Sequence, residues 1–260
     1  MGLPLVAAFA ILAVVGPWVA PYSPSAIDLA HDLEGPSRAH WLGTGDNGVD
    51  VLSVLLAGAR LAGEVSVAAV LLSVVTGVAL GGGAAYLGGR VDGWVARVTD
   101  AAQSFPSLIV NMAVLALAPR PGVGHLIAAL SITGWVGYAR VARAEVLRLR
   151  EREFVTAARA LGASGPRVFF RHVLPNATGP LMVQATFGLG ATVLAEASLS
   201  FLGLGPGASA SWGALLDQGT AHLLQTPRLA VCAGVAITAT VLGLNLTGDW
   251  LRDKLDPREG

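Results

Sequence analysis

The stretch REREFVTAARALGASGPRVFFRHVLPN, residues 150–176, decides how the rest of the chain is read. It has the form of a helix, a turn, a second helix and a stop. Leu147, Phe154, Ala158 and Leu161 recur at steps of seven, four and three and share one helical face, while Arg148, Arg152 and Arg159 fall on another. Gly162 supplies the positive φ that ends the first helix, and Ser164 caps the next. Pro166 suits a first helical turn, and Pro175 removes the amide that a longer helix needs. The pattern predicts two short helices meeting at a glycine turn.

The segment around it, 140–180, holds eight of the seventeen basic residues and lies between long apolar runs. The chain is 53% hydrophobic and 13% charged, with a mean hydropathy of +0.63. That is more apolar surface than a globule of 260 residues buries, so the chain belongs in a bilayer. Charged residues punctuate it into six apolar spans, near 3–20, 65–87, 102–118, 122–139, 181–204 and 229–250. Each approaches the ~20 residues that a helix needs to cross a hydrocarbon core. The expected fold is all-α, a polytopic membrane protein with six transmembrane helices.

Orientation follows from where Lys and Arg collect, because basic loops stay in the cytoplasm. Loop 88–101 has Arg90 and Arg97, and the tail has Arg252, Lys254 and Arg258. With loop 140–180 these make thirteen on one side, against Arg38, Arg60, Arg120 and Arg228, four, on the other. Both termini are therefore expected to be cytoplasmic, with 21–60 and 205–228 outside. The apolar start also fits a cleaved signal peptide, although no basic residue precedes it, and the missing inner anchor leaves room for a longer native N-terminus.

Several functions are disfavoured by the same residues. The net charge is zero, so no overall field favours nucleic acid. The single cysteine, Cys232, cannot form an intrachain disulfide and reads as packing. No metal site is assigned: CxxC and HExxH are missing, and the five histidines are far apart in sequence. Gly43, Gly45 and Gly48 match GxGxxG, but no strand precedes them and no βαβ unit surrounds them, so they read as a turn. The only lysine, Lys254, stands in no Walker A context. Energy for any pumping must then come from elsewhere.

Polar residues inside the spans are the candidates for a substrate path. Glu196 leads, since a carboxylate there needs a partner or a water-filled cavity. Asn111, Gln184, Asn245 and Gln103 join it, with interhelical hydrogen bonding as the alternative role for each. Asp249, beside Arg252 and Lys254, reads as an interface anchor. The glycines at 77, 81, 82, 83, 88 and 89 imply close helix packing, within the chain or onto another subunit. The arginines of 140–180 would serve as a simple inside anchor, but that leaves the amphipathic hairpin unexplained, and such a hairpin docks on lipid or on a protein.

Ala157, Ala158, Gly162, Leu174 and Pro175 resemble the EAA loop of ABC importer permeases. HWLGTGDNGVDVLS (40–53), YLGGRVD (86–92), SFPSLIV (104–110), GWVGYARVARAEVL (134–147), LAEASLSFLGLG (194–205), SWG (211–213) and LTGDWLRDKLDP (246–257) resemble the dipeptide, oligopeptide and nickel branch, C-type subunit. The resemblance implies a type I ABC importer transmembrane domain over 61–251, preceded by a helix and external segment over 1–60 and followed by a cytoplasmic tail over 252–260. It implies a homologous permease as partner in a heterodimer, two cytoplasmic ATPases and an external substrate-binding protein, in a bacterial or archaeal cytoplasmic membrane. ATP and Mg would be held by the ATPases, with no cofactor and no catalytic residue here. Glu153, Thr156, Ala157, Ala158, Arg159, Gly162, Leu174 and Pro175 would form the ATPase-coupling element. Peptide cargo is implied, with nickel or another small solute as the alternative, and a channel or membrane scaffold as the alternative of another class. Thr156 stands where the family often has glutamate, and Val49 where its external GRD element has arginine.

Overall fold

The computed structural model describes residues 2–206 and 211–255; the end of the tail, with Pro257 and Arg258, lies outside the described residues. α1, Gly2–Val19, is followed by a segment of short turns and then α2, Val51–Gly77. A π turn, Val78–Gly82, carries α2 into α3, Gly83–Leu87, and α4 occupies Gly89–Gln103. α5 is Ser107–Ala116, α6 Val123–Leu149, α7 Glu153–Ala160 and α8 Gly165–Val168. α9, Thr178–Phe201, α10, Trp212–Ala221, and α11, Arg228–Leu255, complete the bundle. Among the described residues the only β pairing is an isolated bridge between Thr44 and Asp50.

Four helical runs are long and apolar enough to cross a membrane: Gly2–Val19, Val51–Leu87, Gly165–Phe201 and Arg228–Leu255. α6, at 27 residues, has the length as well but carries the arginines in its last turns. The third span is different. Its helix breaks at Phe105 and Pro106, where Pro106 sits at ψ 120°, so α5 is only 10 residues long and covers half a crossing. A proline lacks the amide for the helix ladder and pushes the residue before it out of the α region, which accounts for the break.

Two other boundaries move. The second span starts at Val51 rather than near 65, because Asp50 caps the helix by accepting the Ser53 amide at 2.8 Å, and Arg60 and Glu64 do not interrupt it. Pro175 does not stop the second helix of the hairpin. A π turn over Phe169–Val173, with the Leu174 amide bonded to the Phe169 carbonyl at 2.8 Å, and a 3-10 turn over Pro175–Ala177 absorb the proline. The helical run therefore continues from Gly165 to Phe201.

Glycine spacing serves packing inside the chain. A Cβ on Gly77 would lie 2.6 Å from the Tyr138 Cβ, and one on Gly81 would meet the Ala139 backbone, so these two let α2 lie against α6. Gly83 has nothing near it.

Residues 21–50 fold as a small cap on the α10–α11 end. His40 Nδ1 lies 2.9 Å from Asp50 Oδ1, and Ser53 donates its amide and its hydroxyl to Asp50 Oδ2 at 2.8 and 2.7 Å. Arg228, at the start of α11, donates to the Thr44 carbonyl at 2.7 Å and to the Glu34 carbonyl, and His222 Nε2 lies 2.8 Å from Asp46 Oδ1. The GTGDNG segment is thus a turn, as its context implied, closed by the Gly45 amide on the Val49 carbonyl at 2.8 Å. Val49 is half-buried against Val51, Leu215 and Leu229.

Candidate functional site

The hairpin of α7 and α8 stands at the arginine-rich face of the bundle, and one residue fixes it there. Val155 is fully buried in a cluster with Val146 and Leu149 of α6, Val168 of α8, and Phe169, Val173 and Leu181 beyond it. An eight-residue helix is not stable alone, so α7 exists because this contact holds it. Leu147 and Ala158 flank the cluster. Phe154 and Leu161 do not: Leu161 is 89% exposed. The expected apolar face fails because helical phase is lost between Leu149 and Glu153, where α6 ends and α7 begins.

Gly162 does what its position predicts. Its φ is +85°, and the Ala163 amide bonds to the Ala158 carbonyl at 3.1 Å while the Gly162 amide bonds to the Arg159 carbonyl at 2.9 Å, a Schellman closure of α7. A Cβ there would touch nothing within 4 Å, so the glycine is present for its backbone and not for want of space within this chain. Ser164 is extended ahead of α8, but its side chain makes no capping hydrogen bond. Leu174 is half-buried against the cluster, and Pro175 is exposed.

The exposed side of α7 presents Glu153, Thr156, Ala157, Arg159 and Ala160. Thr156 and Ala157 are small, and neither is committed to the interior.

Four of the eight arginines in 140–180 brace this mounting. Arg143 of α6 grips Asp92 of α4 with two bonds, Nε to Oδ1 at 2.6 Å and Nη2 to Oδ2 at 2.8 Å, and Arg140 reaches Asp100 at 2.7 Å. The Arg143 guanidinium holds the Asp92 carboxyl below the usual range. Arg150 donates to the Ala85 carbonyl at 2.8 Å, and Arg159 lies 5.7 Å above the Tyr86 ring. Arg152, Arg167 and Arg171 are exposed and form no ion pair among the described residues. Asp92 and Asp100 escaped the sequence reading, although two acids in an otherwise basic face were the available signal.

The polar residues of the spans do not converge. Glu196 is 1% exposed, and its Oε1 accepts from Ser200 at 2.7 Å and from Ser211 at 3.1 Å. It is no solvated vestibule residue in this chain: it ties α9 to Ser211, which also caps α10. Asn111 is buried and accepts from Thr133 at 3.0 Å, joining α5 to α6. Gln184 sits beside Gly137 and Asn245 beside Gly190, each between a pair of helices. Gln103 is exposed and lines an open cavity of about 570 Å³ with Phe105, Pro106, Thr133 and Val136.

A bundle of apolar helices with a small helix mounted at one face defines a multi-pass membrane protein. Comparison with known proteins makes this specific. Residues 73–260 match the family described as binding-protein-dependent transport system inner membrane component, and residues 1–36 match the N-terminal TM domain of oligopeptide transport permease C. The chain belongs to that inner-membrane component family. Over 259 residues it is 36% identical to the dipeptide transport system permease protein DppC of Alkalihalophilus pseudofirmus, covering 99% of this chain and 85% of that one. It is 37% identical to the oligopeptide transport system permease protein OppC of Bacillus subtilis, covering 99% and 85%. It is 38% identical to the nickel transport system permease protein NikC of Escherichia coli, covering 99% and 93%. Among solved structures, the inward-facing MetNI methionine ABC transporter has a chain that matches at TM-score 0.66 and 17% identity, covering 78% of this chain and 96% of that one, a likeness of fold.

Proposed function

We propose that this permease subunit forms half of a peptide-importing pathway and that α7 is the element through which ATP hydrolysis drives it. The observation that carries the coupling role is the mounting of α7. Val155 locks one side into the bundle while Thr156, Ala157 and Ala160 are left exposed on the other. A helix held in this way moves as a rigid body with α6 and α9, so force applied to it reaches the spans without being lost in loop motion. The small exposed side chains allow close approach of an ATPase groove, with Glu153 available where Thr156 replaces a glutamate.

In this reading the arginine-rich face is cytoplasmic, both termini lie on that side, and the cap over 21–50 faces the binding protein. The partners are a homologous permease, two ATPases and an external binding protein. ATP and Mg belong to the ATPases, and no bond chemistry is assigned to this chain. The substrate path runs between the two permeases, so Asn111, Gln184, Asn245 and Glu196 act chiefly by holding helices in register.

Peptide cargo is supported by the match of residues 1–36 to an oligopeptide permease segment and by the dipeptide and oligopeptide relatives. The NikC relative, equally similar, favours nickel as the second reading. Proteoliposomes holding the whole complex with its binding protein separate the two. The expected result is ATP-dependent uptake of a labelled dipeptide that excess nickel does not inhibit; uptake of nickel alone overturns the peptide reading.

A further inference from the structure

The break between α4 and α5 puts non-helical backbone at Phe105 and Pro106 into the third span. A membrane tolerates such backbone where it is buried in protein or lines a water-filled cavity. Both residues are exposed, and they line the open cavity of about 570 Å³ between the break and α6, a size that suits a small-molecule ligand. Its walls are mixed rather than apolar. Gln103 and Ser107 are exposed, and each both donates and accepts hydrogen bonds. Thr133 donates its proton to Oδ1 of buried Asn111 at 3.0 Å, so toward the cavity its oxygen is an acceptor. No carboxylate, imidazole or thiol stands among the described wall residues, and a bare metal cation finds no strong ligand there.

One turn toward the arginine-rich face, the same two helices carry a charged pair. Asp100 precedes Gln103 by one turn of α4, and Arg140 follows Gly137, another wall residue, by one turn of α6. That spacing sets the pair about 5 Å from the cavity rim. Arg140 Nη2 donates to Asp100 Oδ1 at 2.7 Å, and the two side chains are 51% and 69% exposed. Arg143, one turn further on, differs: its Nε and its Nη2 are both committed to Asp92. Among the described residues Arg140 gives one nitrogen to its acid and keeps the rest of its planar fork for a second carboxylate.

We propose that this cavity is a cargo subsite for short peptides, in which Gln103, Ser107 and Thr133 hold the peptide backbone and Arg140 takes its terminal carboxylate. The inference rests on peptide import as the function proposed above. An extended peptide covers about 3.5 Å per residue, so two or three residues reach from the cavity to the guanidinium. Thr133, an acceptor on this side, pairs with a peptide N–H, and the Gln103 amide matches a peptide group in both senses. Asp100 holds Arg140 between passages and competes with the carboxylate, which keeps the cargo from staying bound.

The test uses the complex of permeases and ATPases in lipid nanodiscs, first without the binding protein, so that the selectivity of that protein does not enter. With Cys232 replaced by serine, Ile132→Cys places a thiol on an exposed part of the cavity wall. Maleimide labelling of position 132 is then timed as alanyl-alanine or its C-terminal amide is added. Alanyl-alanine is expected to slow labelling, and the amide to need about five times the concentration for the same effect, the weight of one partly solvated charge contact. Arg140→Gln should erase that difference, whereas Asp100→Asn, which releases the guanidinium, should lower the concentration of alanyl-alanine required. A purely structural pair would instead weaken binding in both variants, and that result overturns the assignment to Arg140. Equal protection by acid and amide in the otherwise unaltered protein, or no protection by either, overturns the subsite, and ATP-dependent uptake of the dipeptide once the binding protein is restored then leaves peptide import intact. Uptake of nickel alone overturns both.

Discussion

Replacing Val155 by alanine tests the mounting of α7 directly. The side chain is fully buried, and the change deletes two carbon groups worth about 0.8 kcal/mol each in transfer, plus a cavity term, for about 2 kcal/mol in all. The transfer figure for water applies because α7 lies outside the four apolar runs, and among the described residues its other apolar side chain packed on the cluster is the half-buried Ala158. About 2 kcal/mol multiplies the opening equilibrium of the helix about 30-fold, and because so short a helix has no stability of its own, opening means local unfolding. Hydrogen exchange on the complex in nanodiscs should show about 30-fold faster exchange for the amides of residues 157–163 and no change in α11. Transport per ATP hydrolysed should fall while hydrolysis persists. Wild-type exchange over 157–163 in this variant would refute the claim that Val155 fixes the hairpin.

Other outcomes follow from neighbouring contacts. Gly162→Arg should abolish uptake while leaving the folded protein in the membrane, as judged by membrane fractionation and uptake together, since a Cβ there meets nothing within 4 Å and the strain of a side chain at φ +85° is confined to the turn after α7. Asp92→Asn should raise protease sensitivity between α4 and α5 several-fold by removing the grip on Arg143. In the wild type this grip should hold unchanged from pH 8 to 5: a carboxyl held below its ordinary value of 3.8 contributes fully above that value and is lost only as pH falls below it. Glu196→Ala leaves Ser200 and Ser211 without their shared acceptor, costing about 2–4 kcal/mol and lowering the thermal midpoint by several degrees, with Glu196→Gln milder.

Much of the bundle was legible in apolar length, because a bilayer imposes its thickness on any helix that crosses it. The boundaries taken from charges failed where charges sit inside helices. Arg60 was counted outside and the second span begun near 65, yet the backbone hydrogen bonding of α2 runs on through Arg60 and Glu64, and Asp50 sets the true start. Pro106 and Pro175 show the same limit from the other side. Each removes one amide, but Pro106 breaks a helix whereas Pro175 is absorbed by a π turn that packs Phe169 and Val173 into the core.

The hairpin was legible in its glycine turn and illegible in its face. The spacing from Leu147 to Leu161 assumed one continuous helix, and the bend after Leu149 turned Val155 inward instead. Glu196 was found by charge alone, but its partner Ser211 is fifteen residues away across a turn, a distance that helical periodicity does not encode.

The account turns on α7 as the place where an ATPase grips this subunit. With Cys232 replaced by serine, Ala157→Cys becomes the sole thiol of the chain, on the exposed side of α7. Thiol crosslinking of the transport-competent complex should join position 157 to an ATPase subunit, at a rate that changes when ATP binds. A complex that transports with ATP yet yields no ATPase crosslink from position 157, while a cysteine elsewhere on the arginine-rich face does yield one, would contradict it.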